Sequence, residues 1–407
     1  MSNSDMDAGS LASAAESRAL ADRLQTLFGE AGFQPVDPPV LQPADVFLDR
    51  SGEDIRRRMY VFSDPGGAEL CLRPDLTIPT CLHYLEEHPK ADKPVKLTYR
   101  GLAFRYQSSA PWPMREFTQV GVEQIGECEA SESCEEADAA ILELALRAVE
   151  ASGLASYRLE MGDLALFGAL VDGLDIPATW AERLKRHFWR PDYFRELLLR
   201  LADQEALAAS GPDLPGLFSA LGALDGVEAK ALIEEVLTLA GISPVGGRST
   251  REIAERLLEQ AADAGAQALP KDIVALIDGF LAISGTPDEA LAKIRELTKA
   301  AGLSGGSLGE AMARLERRFE RLEAAAPDFS KAHFATSFGR NMEYYTGFVF
   351  EFRTQLAGKT VNVAGGGRYD TLLETLGAPG PVPAIGCAIG VERLARAVAE
   401  NAKGAGR

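Results

Sequence analysis

The stretch REFTQVGVEQIG, residues 115–126, decides the fold. Read at period two, Phe117, Gln119, Gly121 and Glu123 fall on one face, and Thr118, Val120 and Val122 on the other. The second face is an ordinary packing face. The first sets an amide and a carboxylate roughly 13–14 Å apart, at about 3.4 Å per residue, with Gly121 leaving room between them. That spacing suits a small ligand with two polar ends lying on a sheet. The preceding VKLTYRGLAFRYQ, residues 95–107, also reads as a strand, separated from the first by a Pro/Ser-rich stretch over 108–113. In it Gly101, Ala103, Arg105 and Gln107 share a face. An arginine on a sheet face lined by small residues is either paired, with Glu123 for example, or waiting for an anion. Both readings stand at this level.

Working outward, Leu11, Ala14, Ala15, Leu20, Leu24, Leu27 and Phe28 recur at helical spacing, predicting a helix over 11–31 that stops at Gly32. RRRMYVFSD and AELCLRPD flank the turn cluster Asp64-Pro65-Gly66-Gly67. Helices are predicted near 77–88 and from about 132 to 152. Strands joined by short loops favour an antiparallel sheet and an α+β fold over βαβ alternation. From 162 to 326 the composition turns to Ala, Leu, Glu and Arg, as in AERLKRHF, REIAERLLEQAADAG and DEALAKIRELTKAAG. This predicts a helical insertion, a scaffold without chemistry. Strand patterns return at KAHFATSFGR, FVFEFR and TVNVAGG. A helix after Gly367, the short strand AIGCAIG and a last helix from 391 to about 401 follow. The expected organisation is a disordered tip over 1–10, a first half-core over 11–161, the insertion over 162–326 and a second half-core over 327–407.

The 407 residues carry 42 Lys and Arg against 60 Asp and Glu, a net charge of −18. That balance argues against a protein that wraps nucleic acid, which needs basic residues in excess on some face. The opening MSNSDMDAGS has no basic or apolar segment of a signal peptide, and no apolar run approaches the 18 residues of a membrane span. Five cysteines without a CxxC pair fit scattered thiols in a reducing cytoplasm, and the four histidines lack ligand spacing, so no metal is expected.

The remaining candidates are weaker one by one. LRPDLT offers Arg73, Asp75 and Thr77, with a helix N-cap as the plain alternative. GRNMEYYTG offers Arg340, Glu343, Tyr344 and Tyr345, with aromatic strand packing as the alternative. AGGGRYD places Gly365, Gly366 and Gly367 before Arg368 and Tyr369, which is either a turn or a place where backbone approaches a ligand. No nucleotide-binding fingerprint is present.

In order, LRPDLT, FRYQ with REFTQVGVE, GRNMEYYTG, AGGGRYD and AIGVERL resemble the catalytic core of histidyl-tRNA synthetases, over roughly 18–135 and 330–402. The resemblance implies a class II aminoacyl-tRNA synthetase-like antiparallel sheet core with motifs 1 and 2 in the first half. It also implies Arg105 on a nucleotide phosphate and Arg393 as the motif 3 arginine. Asp75, Thr77 and Gln119 would surround a ligand amine, Glu123 and Tyr345 an imidazole, and Arg340 a carboxylate, with Tyr344 and Tyr369 lining the pocket. Arg105 thus serves both the histidine pocket and the nucleotide site, and Arg115 aligns with the loop-closing arginine of that site.

The departures point away from tRNA charging. Gln107 stands for a glutamate, the loop between the motif 2 strands is SSAPWPM, and Pro113 occupies an ATP-holding arginine's place. Asp75 replaces a glutamate, and Asn341-Met342-Glu343 replaces Gly-Leu-Asp. The chain ends at Arg407 directly after motif 3, read here as absence of the anticodon-binding domain. Weaker stabilisation of the charge developed in adenylation is expected. This combination resembles the regulatory-subunit family of ATP phosphoribosyltransferase. It implies a non-catalytic role in the first step of L-histidine biosynthesis, without a cofactor, and feedback by L-histidine. It further implies a self-dimer and a hetero-octamer with the short-form catalytic subunit, with no tRNA and no membrane. A histidine-adenylating enzyme acting on a non-tRNA acceptor is the alternative, and a tRNA-binding remnant a third reading.

Overall fold

A computed structural model describes residues 14–48, 58–106, 115–126, 131–188, 191–203, 235, 268–325, 329, 332–340, 342 and 344–405. The 1–10 tip, Gln107, the 108–113 stretch with Pro113, Asn341 and Glu343 lie outside the described residues. Two compact units are formed, one from Met1–Gly173 with Phe280–Arg407, the other from Leu174–Gly279.

The first unit begins with α1 (Ala14–Glu30), whose buried Leu20, Ala21, Leu24 and Phe28 make one apolar stripe. Next come β1 (Gln34–Val36), β2 (Leu41–Pro43), α2 (Asp45–Leu48), β3 (Tyr60–Ser63), β4 (Glu69–Leu72) and α3 (Thr77–Glu87). The Asp64-Pro65-Gly66-Gly67 turn closes β3 on β4. Gly67 lies at φ 88°, and the Asp64 carboxylate accepts from the Ala68 N–H at 2.9 Å. The long pair β5 (Val95–Phe104) and β6 (Glu116–Ile125) is followed by α4 (Ser131–Ala151), β7 (Arg158–Asp163) and α5 (Leu164–Asp172).

The second unit contains α6 (Ala178–His187), α7 (Pro191–Leu201) and most of α8 (Lys271–Leu281). Its buried side chains include Trp180, Leu184, Leu197 and Leu201. The first unit resumes with β8 (Ser284–Gly285), α9 (Pro287–Ala300), α10 (Gly306–Ala325), β9 (His333–Ala335), β10 (Phe348–Leu356) and β11 (Lys359–Arg368). It ends with α11 (Leu372–Thr375), β12 (Ala384–Gly390) and α12 (Val391–Ala405).

Among the described residues a nine-stranded sheet runs β1-β5-β6-β12-β11-β10-β7-β9-β8, with a small β2-β4-β3 sheet beside it. The large sheet is antiparallel from β5 to β7, and the β1–β5 and β7–β9 pairs are parallel. The fold is therefore the expected α+β core, with parallel pairs toward its edges. An apolar core lies against the sheet, where Ile78, Cys81 and Tyr84 of α3 meet Ile125, Val349, Tyr369, Leu372 and Ala384. No described helix is long and apolar enough to cross a membrane.

Several elements depart from the sequence reading. Gly365–Gly367 is not a turn but the C-terminal part of β11, paired to β10 and β12. KAHFATSFGR yields only the three-residue β9, and the helix expected after Gly367 is present but is only the four-residue α11. The span 162–326 read as an insertion divides between the units: Gly162 and Asp163 are in β7, and α9 and α10 belong to the first unit. Composition assigns a helix, but not the body against which it packs; α10 is held there by buried Leu315, Phe319 and Leu322. Cys71, Cys81 and Cys387 are free and buried, whereas Cys134 is disulfide-bonded, because pairing depends on separation in space and not on spacing in the chain.

Candidate functional site

The sheet register builds the site. Pairing of β6 with β12 sets Glu123 opposite Gly386, Gly121 opposite Ala388 and Gln119 opposite Gly390. The strand beside Glu123 must be bare: a Cβ on Gly386 would sit 1.6 Å from the Glu123 Oε2, and one on Gly365 would sit 3.0 Å from the Arg340 guanidinium carbon. The glycines help clear a small cleft of about 90 Å³. Asp75, Thr77, Arg105, Gln119, Glu123, Arg340, Tyr344, Tyr345 and Tyr369 all line it, as do Phe117, Met342, Asn362, Cys387 and Arg393. Arg115 is not among the lining residues; its guanidinium lies 5.9 Å from the Tyr106 ring centre.

Glu123 is as enclosed as Asp75, the other acid of the cleft, each 1% exposed. Tyr99 donates to its Oε1 at 3.2 Å, Tyr369 donates to Oε2, and the Thr77 hydroxyl also bonds to it. Burial pushes the Glu123 carboxyl up to about 7, against the three hydroxyl donors that favour its charge. The Arg105–Glu123 ion pair considered above is not formed. Arg105 instead donates from Nε to the Pro74 carbonyl at 2.6 Å and stands 5.4 Å from the Phe117 ring centre. It has no carboxylate ion pair among the described residues.

Asp75 sits just before α3, where Leu76, not Asp75, takes the N-cap position. Its Oδ1 accepts weakly from the Ile78 N–H at 3.4 Å, while Oδ2, fully buried, has no partner. Burial raises its pKa, and Arg105 opposes that rise. The cap alternative thus accounts for one oxygen and leaves the other, in a residue that lines the cleft, without a partner. Gln119 accepts from the Leu76 N–H at 3.2 Å, which fixes its carbonyl end toward α3.

Arg340 is already paired: it donates from Nε to Glu351 at 3.1 Å and from Nη1 to the Tyr345 hydroxyl at 2.8 Å. Glu351 in turn binds Arg353 at 3.0 Å. Because Tyr345 accepts from Arg340, its own hydroxyl hydrogen remains to be donated. Burial pushes Tyr345 up to about 12, so it is neutral at ordinary pH. Tyr344 meets Tyr345 at a tilt and Tyr369 edge to face, with ring centres 4.7 and 5.8 Å away. Arg393 of α12 donates to the Asn362 carbonyl at 2.8 Å, and burial followed by Arg105 lowers its pKa. Arg58 acts on both Arg105 and Arg393, so positive charge gathers at that end of the cleft.

Tyr99 and Cys387 escaped the sequence reading. Tyr99 shares period two with Leu97 and Gly101 in β5, and only the register that sets it opposite Gly121 brings it into the site. A Cβ on Gly121 would lie 2.4 Å from the Tyr99 hydroxyl. Among the described residues no group of three or more His, Cys, Asp or Glu is placed to hold a metal ion.

Fold and cleft together define a histidyl-tRNA synthetase-like core, and the histidyl-tRNA synthetase family model matches residues 8–240 and 227–394. An ATP phosphoribosyltransferase regulatory subunit/histidyl-tRNA synthetase from Bacillus halodurans C superposes with a TM-score of 0.62 at 20% identity, over 94% of this chain and 79% of that one. Sequence relatives are more specific. The ATP phosphoribosyltransferase regulatory subunit of Chelativorans sp. (strain BNC1) is 35% identical over 381 residues, covering 92% of this chain and 96% of the relative. That of Allorhizobium ampelinum is 35% identical over 374 residues, covering 90% and 94%. The chain belongs to the ATP phosphoribosyltransferase regulatory subunit family. Its role in histidine biosynthesis is regulatory and not catalytic, and the adenylating alternative is not favoured by these relatives.

Proposed function

We propose that the cleft binds free L-histidine and that its occupancy adjusts a short-form catalytic ATP phosphoribosyltransferase subunit in the first step of L-histidine biosynthesis. The observation that carries this reading is the buried, unpartnered Oδ2 of Asp75, in a cleft that also holds Glu123 and the arginines Arg105 and Arg340. An unpartnered buried carboxylate oxygen costs free energy until a donor arrives, and an ammonium is the donor an amino acid supplies. Glu123 with the Tyr345 hydroxyl offers an acceptor and a donor to the two ring nitrogens of an imidazole, while Arg105 and Arg340 suit the carboxylate. Thr77, Gln119, Tyr344 and Tyr369 complete that pocket. Arg105 and Arg393 are what remains of a nucleotide site, with Arg115 outside the cleft lining. The chain pairs with itself through its synthetase-like core and joins the catalytic chains in a cytoplasmic hetero-octamer.

Two measurements test this. Titration calorimetry of the chain alone should give saturable L-histidine binding, weakened at least tenfold by Asp75→Asn and by Tyr345→Phe and unchanged by Lys293→Ala. Equal affinity in all four proteins overturns the pocket. Mixing the chain with a short-form catalytic subunit should raise the rate of phosphoribosyl-ATP formation, and L-histidine should lower it again. No gain on mixing overturns the regulatory coupling.

A further inference from the structure

Five charged side chains outside the cleft lining alternate in sign. Arg318 of α10 donates to Asp163 at 2.8 Å and to Asp138 of α4 at 2.8 and 2.9 Å. Arg368 of β11 donates to the other oxygen of Asp138 at 2.6 and 2.8 Å and to Asp370 at 2.9 Å. Two guanidinium forks thus bracket one carboxylate that is wholly buried. Such buried pairs contribute little net stability against apolar residues of equal volume, but breaking one leaves a costly unpaired charge. Their use is better sought in what they orient.

Arg368 immediately precedes Tyr369, the donor to Glu123. Its own carbonyl accepts from the Thr346 N–H at 2.8 Å, and the Asp370 N–H donates back to the Thr346 hydroxyl at 3.0 Å. Tyr369 donates its N–H to the Ala384 carbonyl at 2.8 Å, and Asp370 accepts from the Ala384 N–H at 3.0 Å. The three residues Arg368, Tyr369 and Asp370 are therefore tied both to the segment carrying Tyr345 and to the start of β12.

We infer that Arg368, clamped by Asp138, is a positioning residue for the cleft: it aims Tyr369 at Glu123 and links that contact to α4 and α10. The inference rests on the ligand reading above. The test is a double-mutant cycle on the full chain, measuring L-histidine affinity for the wild type, Asp138→Asn, Tyr369→Phe and the double variant. Each single change should weaken binding about five- to tenfold, and the double variant should be within about twofold of Tyr369→Phe alone, since one acts through the other. Unchanged affinity in Asp138→Asn, or losses that multiply, overturns the inference; general scaffolding would give the second. If Asp138→Asn does not fold, Asp370→Asn takes its place, with an expected loss of about two- to fourfold and the same non-additivity. Absence of L-histidine binding by the wild type removes the ligand reading. The cycle is then read on urea midpoints, where shifts that simply add overturn the positioning role and shifts that do not add uphold it.

Discussion

Glu123 is held as an acid that has lost water and gained three hydroxyls. Its carboxyl ionises near 7 in the fold, against 4.5 ordinarily. A raised carboxyl favours folding in its protonated form. Its contribution is whole below about 4.5 and is lost as pH rises to about 7, at about 1.4 kcal/mol per pKa unit and on the order of 3 kcal/mol in all. Glu123→Gln should therefore gain on the wild type between pH 4.5 and 7.5, most steeply near the middle of that range, between about pH 5 and 6.5. Urea unfolding across the interval measures this, and parallel curves for the two proteins would contradict it. At this scale the sequence was informative: alternation in residues 117–123 grouped Gln119 with Glu123, and both line the cleft. Tyr99 was hidden because its part in the site depends on standing across from Gly121, a pairing no single strand reveals.

Among the elements, β11 carries the largest gap between pattern and structure. Glycine has neither hydropathy nor strand preference to report, so three in succession read as a turn. Their place in the sheet comes from neighbours: a Cβ on Gly366 would lie 2.1 Å from the Gly386 carbonyl and 2.7 Å from the Phe350 ring. Gly366→Ala should cost about 3 kcal/mol or more, or prevent folding, since backbone on β12 cannot step aside. Gly168 of α5 has nothing within 4 Å of the same position. Gly168→Ala should instead gain about 0.5–1 kcal/mol. Thermal melts of the two variants check both signs. Helices were easier: α9 follows the DEALAKIRELTKAAG pattern and starts at a capping box between Thr286 and Glu289.

For the molecule as a whole, every residue that lines the cleft belongs to the unit made of Met1–Gly173 and Phe280–Arg407. L-Histidine should accordingly slow amide exchange in β6, β11 and β12 and leave α6 and α7 unchanged. Mass-spectrometric exchange with and without the ligand decides it; protection confined to α6 and α7 would move the site to the other unit. Where the units divide was not legible, because Ala/Leu/Glu/Arg-rich helices of either unit look alike in sequence. Nor was the parallel β7–β9 pair, which joins Glu160 to His333 across more than a hundred residues.

The neighbours of β6 have a consequence for synthesis. One edge finds β5 at once, through residues just made, but the other waits for β12, from Ile125 until Ala384 has been translated. Throughout that interval the ribosome carries a chain in which an interior strand of the final sheet has an open edge, the kind that invites pairing with other chains. Production of this protein in cells is thus expected to be limited by escort of the nascent chain, with soluble yield rising when a holdase is co-expressed and translation is slowed by cooling.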